Sequence, residues 1–473
     1  MTAQIAIRRL EPEAPPSRED APAALRAVEP ETSRDIPRRC AAEALEERIA
    51  ARSARLCVVG MGYVGLPLGL TFAEAGFNVT GVDVDHAKVE SLGRGRSHVT
   101  DVADDELAAQ LAAGRLNPTA DWEVLWGADV VMICVPTPLR KTRDPDLTHV
   151  VAATEEVARR LRGGELVVLE STTYPGTTEE VLLPKLEESG LEVGRDFFLA
   201  FSPERVDPGN PRFKTRNIPK VVGGVTPTCT RLGALLYRQA VERVVPVSCT
   251  RVAEMVKLLE NTFRAVNIGL VNEMAMMCSH MGIDVWEVIA AAATKPFGFM
   301  PFYPGPGLGG HCIPIDPAYL QWKARLDGFE PQFIQLAQKI NGEMPQFVAR
   351  RAMELLNDAG KPLKGSRVHL LGVTYKRDIS DLRESPALEI AALLAERGAE
   401  LTYSDPYVPS FTVGGRELRA QEPDPGILAG RDLVIVVTDH TSFDYPAIVA
   451  AAPLVFDTRN AAAAVAGGNL HTL

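Results

Sequence analysis

The segment GPGLGGHCIPIDP, residues 305–317, combines a thiol and a carboxylate within a run of glycines and prolines. Cys312 lies among these residues, and Asp316 follows four positions later. Glycine allows another molecule to approach the backbone closely, and proline holds a turn in one shape. A buried structural cysteine needs no such loop. The pattern therefore indicates a nucleophile that forms a covalent bond with its substrate.

Lys257 and Asn261 stand four residues apart in the stretch 249–283, which lacks proline and keeps helical apolar spacing. Residues at i and i+4 share one face of a helix, so both side chains can face the same ligand. A lysine and an asparagine facing a thiol and a carboxylate can stabilise an oxyanion and relay protons. Polar residues also follow apolar runs that we interpret as strands: Thr137 in VPTP, Thr172 in ESTTYPG and Glu204 in SPERV.

The segment GMGYVG, residues 60–65, has the GxGxxG spacing of a dinucleotide-binding turn. It follows a predicted strand and opens a predicted helix, and Asp83 ends the next strand. We expect Asp83 to bind the ribose hydroxyls and to repel a 2′-phosphate, which favours NAD over NADP. Lys88 lies either near the adenosine or on the solvated surface. The predicted cofactor-binding residues here are Gly60, Gly62, Tyr63, Val64, Gly65, Asp83, Lys88 and Thr137.

Strands that alternate with helices must position these residues. From residue 55 onward, apolar runs such as RLCVV, ADVVMICV, ELVVL and DFFLAF predict a parallel sheet with helices on both faces. The pattern restarts after about residue 364 with SRVHLLGVTYK, SPALEIAALLAERG and AELTYSDP. The predicted fold is α/β, with two doubly wound Rossmann-like domains joined by a long central helix. Ligands of such sheets bind in the cleft at the carboxyl ends of the strands.

The composition excludes several classes of function. Hydrophobic residues make up 46% and charged residues 23% of the 473, which is typical of globular proteins. The formal net charge of −11 argues against binding to nucleic acid or to an anionic membrane. No apolar run approaches the roughly 18 residues that span a bilayer, and no signal peptide is evident. The seven scattered cysteines show no metal-ligand spacing, so we expect reduced thiols, no metal and a cytoplasmic location.

Several motifs together resemble the UDP-glucose/GDP-mannose dehydrogenase family. They occur in order from about residue 55 to the C-terminus, with fitting spacing: GYVGLPLG, ESTTYPGTT, SPERVDPGN, AEMVKLLENTFRAVNIGLVNE, GGHCIPIDP and GVTYKRDISDLRESPALEI. The resemblance implies oxidation of a sugar's C6 alcohol to a carboxylate with two NAD⁺. The cysteine would hold the intermediate as a thiohemiacetal and then as a thioester, which water hydrolyses.

The resemblance also implies roles for particular residues. Cys312 matches the nucleophile, Lys257 and Asn261 match residues that stabilise oxyanions, and Asp316 matches a residue that places water and moves protons. Glu204 matches a base for thioester hydrolysis, and Thr172, aligned to within one position, matches a threonine near the nicotinamide and a catalytic water. Arg383 matches an arginine that reaches the cofactor. Contacts with the sugar nucleotide are implied for Arg205, Lys376 and Arg459.

The resemblance divides the chain into four predicted parts. Residues 1–54 form an N-terminal extension that is rich in Ala, Pro, Glu and Arg and partly disordered. Residues 55–248 form the NAD-binding Rossmann domain, and residues 249–345 form a central helical linker with the cysteine loop. Residues 346–473 form the domain that binds the UDP-sugar. The long central helix predicts a homodimer, with higher homo-oligomers left open.

The choice of sugar depends on two positions in the cysteine loop. His311 and Ile315 replace the serine and lysine that are usual in the branch acting on UDP-glucose, which resembles the branch acting on UDP-N-acetylhexosamines. The loss of the lysine, together with the presence of nearby apolar residues, would suit a bulkier 2-substituent on the sugar. These apolar residues are Phe297, Phe299, Met300 and Phe302. The first expectation is UDP-N-acetyl-D-glucosamine, in polysaccharide or O-antigen precursor synthesis. His311 either contacts the substrate or shapes the loop.

Several alternatives remain at this stage. UDP-glucose and UDP-N-acetylmannosamine are alternative substrates, and UDP-N-acetylgalactosamine differs too little to be distinguished. A non-enzymatic NAD-binding regulator would share the fold, although the combination of Cys312, Lys257, Asn261 and Asp316 argues against it. A two-electron 3-hydroxyacid dehydrogenase would have similar cofactor and central regions but would lack the cysteine loop and the second sheet.

Overall fold

The structure is a computed structural model that describes residues 40–140, 144–207, 209–210, 212–310 and 312–473. Two predictions lie outside these residues: the disorder expected within the N-terminal extension, over 1–39, and the role of His311. The helix expected just before the first strand is present as α1, Ala41–Ala50. Its apolar face is fully buried in the core of the first sheet through Leu45 and Ile49.

The first sheet has eight strands in the order β3-β2-β1-β4-β5-β6-β7-β8. The first six are parallel in the Rossmann order, because each crossover carries the chain over one face of the sheet. Strand β7 is antiparallel to β6, and β8 is parallel to β7. The strands are β1 Arg55–Val59, β2 Asn78–Val82, β3 Leu116–Thr119, β4 Val130–Ile133, β5 Leu166–Leu169, β6 Phe198–Phe201, β7 Lys220–Gly224 and β8 Val244–Pro246.

Six further helices accompany this sheet in the described residues and cover its apolar faces. They are α2 Gly65–Glu74, α3 His86–Gly93, α4 Asp104–Ala112, α5 Thr148–Ala158, α6 Leu183–Glu187 and α7 Pro227–Arg238. Strands β4, β5 and β6 are buried along their whole length, because helices lie on both sides. These continuous apolar runs correspond to the sequence pattern that predicted the sheet.

Four helices follow the first sheet: α8 Thr250–Met281, α9 Val285–Ala292, α10 Asp316–Leu326 and α11 Gln332–Asp358. Helix α8 has 32 residues and ends at Gly282, which takes a left-handed conformation. Helix α11 packs closely along α8, since a β-carbon on Gly269 would lie 3.2 Å from the Ala337 Cα. The buried Asn341 amide donates to the Ala265 carbonyl at 3.0 Å and fixes this contact.

The second sheet has five parallel strands in the order β10-β9-β13-β14-β15, again doubly wound. A hairpin, β11 with β12, stands beside it. The strands are β9 Arg367–Leu371, β10 Glu400–Ser404, β11 Ser410–Val413, β12 Arg416–Arg419, β13 Leu433–Val436, β14 Val455–Asp457 and β15 Leu470–Thr472; the helices are α12 Pro386–Glu396, α13 Pro425–Ala429 and α14 Tyr445–Ala451. Two Rossmann-like sheets joined by a long helix agree with the predicted fold class. Among the helices of the described residues, none is long and apolar enough to cross a membrane.

Candidate active site

A cleft of about 1390 Å³ brings the predicted chemistry together. Its walls come from the carboxyl ends of the first sheet's strands, the middle of α8, the loop before α10 and the start of α12. The predicted site residues that line it are Gly60, Gly62, Tyr63, Val64, Asp83, Lys88, Thr137, Thr172, Glu204, Lys257, Cys312, Asp316 and Arg383. Segments far apart in the sequence therefore meet at one site.

The glycine turn between β1 and α2 has the geometry that a dinucleotide needs. Gly60 has a φ of +95°, and a β-carbon there would lie 2.6 Å from the Cys134 carbonyl oxygen. Gly65 packs so tightly that its β-carbon would overlap the Gly60 carbonyl oxygen at 1.8 Å. At Gly62, by contrast, nothing lies within 4 Å. Packing requires glycine at positions 60 and 65. The open surroundings of Gly62 allow a pyrophosphate to reach the backbone.

The Asp83 carboxylate is oriented by the turn and by α3. It accepts hydrogen bonds from the Met61 amide at 2.9 Å and the Asp85 amide at 3.0 Å. Lys88 donates to it at 2.9 Å, so this lysine pairs with the carboxylate at the cleft wall. Burial raises the pKa of Asp83, but these donors together hold it below its ordinary value. The carboxylate is therefore ionised at neutral pH and suited to accept ribose hydroxyls.

Helix α8 presents Lys257 and Asn261 on the face that lines the cysteine loop, as their spacing predicted. The Lys257 ammonium donates to the Thr172 hydroxyl, which follows β5. The Asn261 amide donates to the Asp316 carboxylate at 2.5 Å. Each helix side chain is thus tied to a residue from a different part of the chain, which restricts its rotation. The result is two ordered donors beside the Cys312 thiol.

Burial and neighbouring charges shift the pKa values of Asp316, Cys312 and Lys257. Burial raises the pKa of Asp316 to about 6, although the Lys257 charge and the Asn261 hydrogen bond oppose the shift. Burial also raises the pKa of the Cys312 thiol, with the Lys257 charge again opposing it. For Lys257, burial lowers the pKa, but the negative charges of Cys312 and Asp316 outweigh it and raise the pKa. Near neutral pH, Lys257 is charged and Asp316 is largely ionised.

The glycine-rich loop is pressed against the second sheet's first loop. A β-carbon at Gly309 or Gly310 would lie 2.5 or 2.7 Å from the Tyr375 side chain, so neither position accepts a larger residue without movement. The Gly310 amide donates to the Arg383 carbonyl at 3.0 Å. After it, the Asp316 amide donates to the Cys312 carbonyl at 2.8 Å, which starts α10. The glycines thus place the thiol between the two sheets.

Arg383 extends across the cleft from the second half of the chain. Its guanidinium lies 5.1 Å from the centre of the Tyr63 ring, within the glycine turn, and is also paired with Asp381 at 2.6 Å. A planar cation over an aromatic ring is attractive at this distance. This contact joins the two Rossmann-like halves directly at the cofactor turn.

Four predicted substrate residues among those described do not line the cleft. One of them, Asn261, is hydrogen-bonded to the lining residue Asp316, and the other three are Arg205, Lys376 and Arg459. Arg205 is paired with Glu260 at 2.5 Å, and Lys376 with Asp207 at 2.8 Å. Arg459 donates to the Val437 carbonyl at 3.0 Å and abuts Gly305, whose β-carbon would lie 2.8 Å from its guanidinium. The apolar residues expected to suit a bulky 2-substituent are also not among the described residues that line the cleft. These residues are Phe297, Phe299, Met300 and Phe302. That expectation receives no support from the structure, whereas Ile315 does line the cleft.

A buried charged cluster, which the sequence patterns did not predict, lies behind Glu204. Lys220, at the start of β7, lies 2.6 Å from Glu170 and 3.1 Å from Glu204. The Tyr237 hydroxyl donates to the second Glu170 oxygen. A lysine opening an otherwise apolar run, KVVGG, and a glutamate ending another, ELVVLE, were the available signals. Neither pattern predicts that the side chains of Lys220 and Glu170 lie in contact.

Comparison with known proteins identifies the family of this chain. Profiles of the UDP-glucose/GDP-mannose dehydrogenase family match residues 54–241 (NAD binding domain), 251–343 (central domain) and 369–464 (UDP binding domain). A UDP-N-acetyl-D-glucosamine 6-dehydrogenase from Pseudomonas aeruginosa is 38% identical over 359 residues, which is 76% of this chain and 84% of that protein. The chain belongs to the UDP-glucose/GDP-mannose dehydrogenase family. It is therefore an NAD-dependent nucleotide-sugar dehydrogenase, and the regulator and 3-hydroxyacid dehydrogenase alternatives are not supported.

Other relatives carry different sugar names. An NDP-N-acetyl-D-galactosaminuronic acid dehydrogenase from Ralstonia solanacearum is 34% identical over 400 residues, covering 82% of this chain and 91% of that protein. The structure of a UDP-D-ManNAc dehydrogenase from Pyrococcus horikoshii superposes with a TM-score of 0.80 at 34% identity, covering 88% of this chain and 98% of that one. Membership thus establishes the reaction class but leaves the sugar open.

Proposed function

We propose that this protein oxidises the C6 hydroxyl of a UDP-N-acetylhexosamine, with UDP-N-acetyl-D-glucosamine as the first candidate, to the uronate. The observation that carries the proposal is the meeting of Cys312, Lys257 and Asp316 beside the NAD turn in one cleft, with Asn261 hydrogen-bonded to Asp316. A two-electron alcohol oxidation needs no thiol. A thiol beside ordered donors suits an aldehyde that must stay bound for a second oxidation.

In the proposed first oxidation, Lys257 and Asn261 stabilise negative charge on the sugar oxygen as the hydroxyl proton leaves. The glycine turn and Asp83 would hold NAD⁺, which would supply the hydride acceptor for both oxidations. Asp316 is ionised above a pKa of about 6 and is placed to take up the proton. Thr172 anchors Lys257 and so fixes the direction of the positive charge.

In the proposed later steps, the Cys312 sulfur bonds to the aldehyde carbon as the carbonyl π bond opens onto the oxygen, and that oxygen takes up the thiol proton. The second oxidation converts this thiohemiacetal to a thioester, which keeps the intermediate bound to the enzyme. Water then attacks the thioester carbon, and Glu204 accepts the water proton. Burial raises the pKa of Glu204, but the Lys220 charge and the backbone donors together lower it below its ordinary value.

The N-acetylated sugar is supported by two observations. The relatives described above carry N-acetylhexosamine names, at 34% to 38% identity. Ile315 lines the cleft where enzymes acting on UDP-glucose usually carry a lysine, so the wall is less polar. UDP-N-acetyl-D-mannosamine is a second candidate, because the Pyrococcus horikoshii structure with that name has a TM-score of 0.80. We further propose polysaccharide or O-antigen precursor synthesis as the pathway.

The proposed organisation keeps the four parts predicted from the sequence and pairs two chains through α8. Exposed apolar side chains run along that helix at helical spacing, namely Met255, Leu259, Phe263 and Leu270, and two more, Phe297 and Met300, lie in the loop after α9. A stripe of this kind is typical of a protein interface. The proposed location is the cytoplasm, where thiols such as Cys312 stay reduced.

The test is the ratio of NADH formed to sugar consumed, measured with purified protein on UDP-N-acetylglucosamine, UDP-N-acetylmannosamine and UDP-glucose. The proposal expects two NADH per acetylated sugar, with loss of the reaction in Cys312→Ala. A ratio of two with UDP-glucose alone would preserve the chemistry but reject the acetylated substrate. A ratio of one would reject the thioester route. Cys40→Ala is the matched control, because Cys40 is exposed before α1 and lies outside the cleft lining.

A further inference from the structure

The cluster behind Glu204 is a bridge of one ammonium between two carboxylates. Glu170 and Lys220 are 0% and 3% exposed, so neither charge is compensated by bulk water. Lys220 donates to Glu170 at 2.6 Å and to Glu204 at 3.1 Å. A buried charge of this kind is stable only with close partners, and removing one partner leaves the other uncompensated.

Sheet topology explains why these side chains meet. Glu170 and Glu204 follow the carboxyl ends of the parallel strands β5 and β6, so both lie at the same edge. Strand β7 is antiparallel to β6, with Ala200 opposite Gly224 and Phe201 opposite Gly223. Continuing that register places Lys220 opposite Glu204. The reversed direction of β7 brings its first residue to the edge where the catalytic loops lie.

The Glu204 carboxylate accepts three hydrogen bonds from the described residues. Its Oε1 accepts from the Arg205 amide at 2.7 Å and the Val206 amide at 2.8 Å. Its Oε2 accepts from Lys220. A carboxylate has about four acceptor sites, and donors from the described residues use three of them, so one site on Oε2 can accept from a water molecule in the cleft. The two backbone donors and Lys220 together fix the direction of that remaining site.

We propose that Lys220, itself anchored by Glu170, is the positioning residue that holds the Glu204 carboxylate as an oriented anion for thioester hydrolysis. This inference rests on the proposed function. As the water oxygen bonds to the thioester carbon, one water proton passes to Glu204 Oε2. The carbon–sulfur bond then breaks, and Cys312 leaves as a thiolate while the acyl group gains the hydroxyl. Lys220 touches neither substrate nor cofactor and acts only through Glu204.

Glu170 completes the assembly from the other side. One of its oxygens accepts from Lys220, and the other accepts from the Tyr237 hydroxyl. Tyr237 is fully buried on α7, so it cannot exchange this contact for water without unfolding. The anchor therefore holds the Lys220 ammonium within reach of Glu204. An amide at position 170 would keep its shape but weaken its hold on the ammonium.

The test separates hydrolysis from the two oxidations. Lys220→Met, Glu170→Gln and Glu204→Gln are mixed with NAD⁺ and the best nucleotide-sugar substrate, and NADH is followed from the first turnover. The expected result is a burst of two NADH per subunit followed by slow turnover. The expected fall in steady-state rate is about 100-fold or more for Lys220→Met and Glu204→Gln, and about tenfold for Glu170→Gln. Intact-mass measurement after acid quench should find an acyl group on Cys312.

A merely structural role would not give this pattern. Lys220→Arg keeps a donor cation and should restore part of the hydrolysis rate, whereas Lys185→Met, which removes a surface pair with Glu155, should leave all steps unchanged. Loss of the burst together with turnover, or full steady-state activity in Lys220→Met, would overturn the proposal. If Lys220→Met does not fold, Glu170→Gln decides, and unchanged hydrolysis there overturns it. A wild-type ratio other than two NADH per sugar would instead refute the proposed function.

Discussion

Replacing Asn261 by alanine should move the pH at which activity appears. Asn261 donates to Asp316 at 2.5 Å, and this hydrogen bond lowers the carboxyl pKa against the opposing effect of burial. Activity needs the ionised carboxylate, so it is lost as the pH falls through that pKa. With the donor removed, the ionised form is less stable and the pKa rises. The acid limb of the pH profile should therefore move to higher pH.

The size of the shift follows from the hydrogen bond. A bond to a charged group contributes about 1.5–3 kcal/mol. One pKa unit corresponds to about 1.4 kcal/mol, so the shift is about 1 to 2 units. The acid limb should then rise from near the wild-type pKa of about 6 by at least about one unit. Lys257 remains in place and limits the shift, because its charge still favours the ionised carboxylate.

The assay is kcat/KM from initial NADH formation at limiting nucleotide sugar, over about pH 5 to pH 9, since this profile reports the free enzyme. Asn261→Ala should also lose about 100-fold or more at its optimum, because an oxyanion donor is gone. Asn267→Ala is the control, since Asn267 lies on the same helix and donates to the Phe263 carbonyl. An unmoved acid limb in Asn261→Ala would refute the proposed coupling between Asn261 and Asp316.

Four other substitutions test the cofactor side of the cleft. Gly60→Ala should destabilise the fold by about 1–3 kcal/mol, because φ is +95° there, whereas Gly62→Ala should leave the melting temperature unchanged and raise KM for NAD⁺. A melting-temperature loss in Gly62→Ala would contradict this. Asp83→Asn should improve the ratio of kcat/KM for NADP⁺ to that for NAD⁺ about tenfold, or about 1.4 kcal/mol, by removing a charge that repels a 2′-phosphate; an unchanged ratio would argue against this role. Arg383→Leu removes the contact with Tyr63, worth about 0.5–1 kcal/mol, and should raise KM for NAD⁺ a few-fold without affecting melting.

Much of this protein was readable locally. The GxGxxG turn, the i, i+4 spacing of Lys257 and Asn261, and the alternation of apolar strands with helices are short-range patterns. Each is set by backbone geometry within a few residues: a positive φ at Gly60, the helical period of α8, and strands buried on both faces. These patterns sufficed to predict the two doubly wound sheets and the cofactor turn, and comparison with known proteins confirmed NAD and the family.

The sequence did not reveal every distant group that shares the site. The meeting of Lys220 with Glu204 depends on β7 running antiparallel to β6, and nothing in KVVGG states a strand's direction. The contact of Arg383 with Tyr63 depends on how the second sheet meets the first. The apolar residues near the cysteine loop are not among the described residues that line the cleft, because proximity in sequence does not determine which face of a loop points inward.

The amino-acid sequence by itself determined the elements, the cofactor turn and the residue types available for catalysis, because those follow from local conformational preference and periodicity. Only the tertiary structure decided that Asp316 has a pKa of about 6, that Lys257 is anchored by Thr172, and that a buried lysine orients Glu204. Protonation and orientation depend on burial and on charges brought together from distant segments. Those quantities exist only once the chain has folded and excluded water from the site.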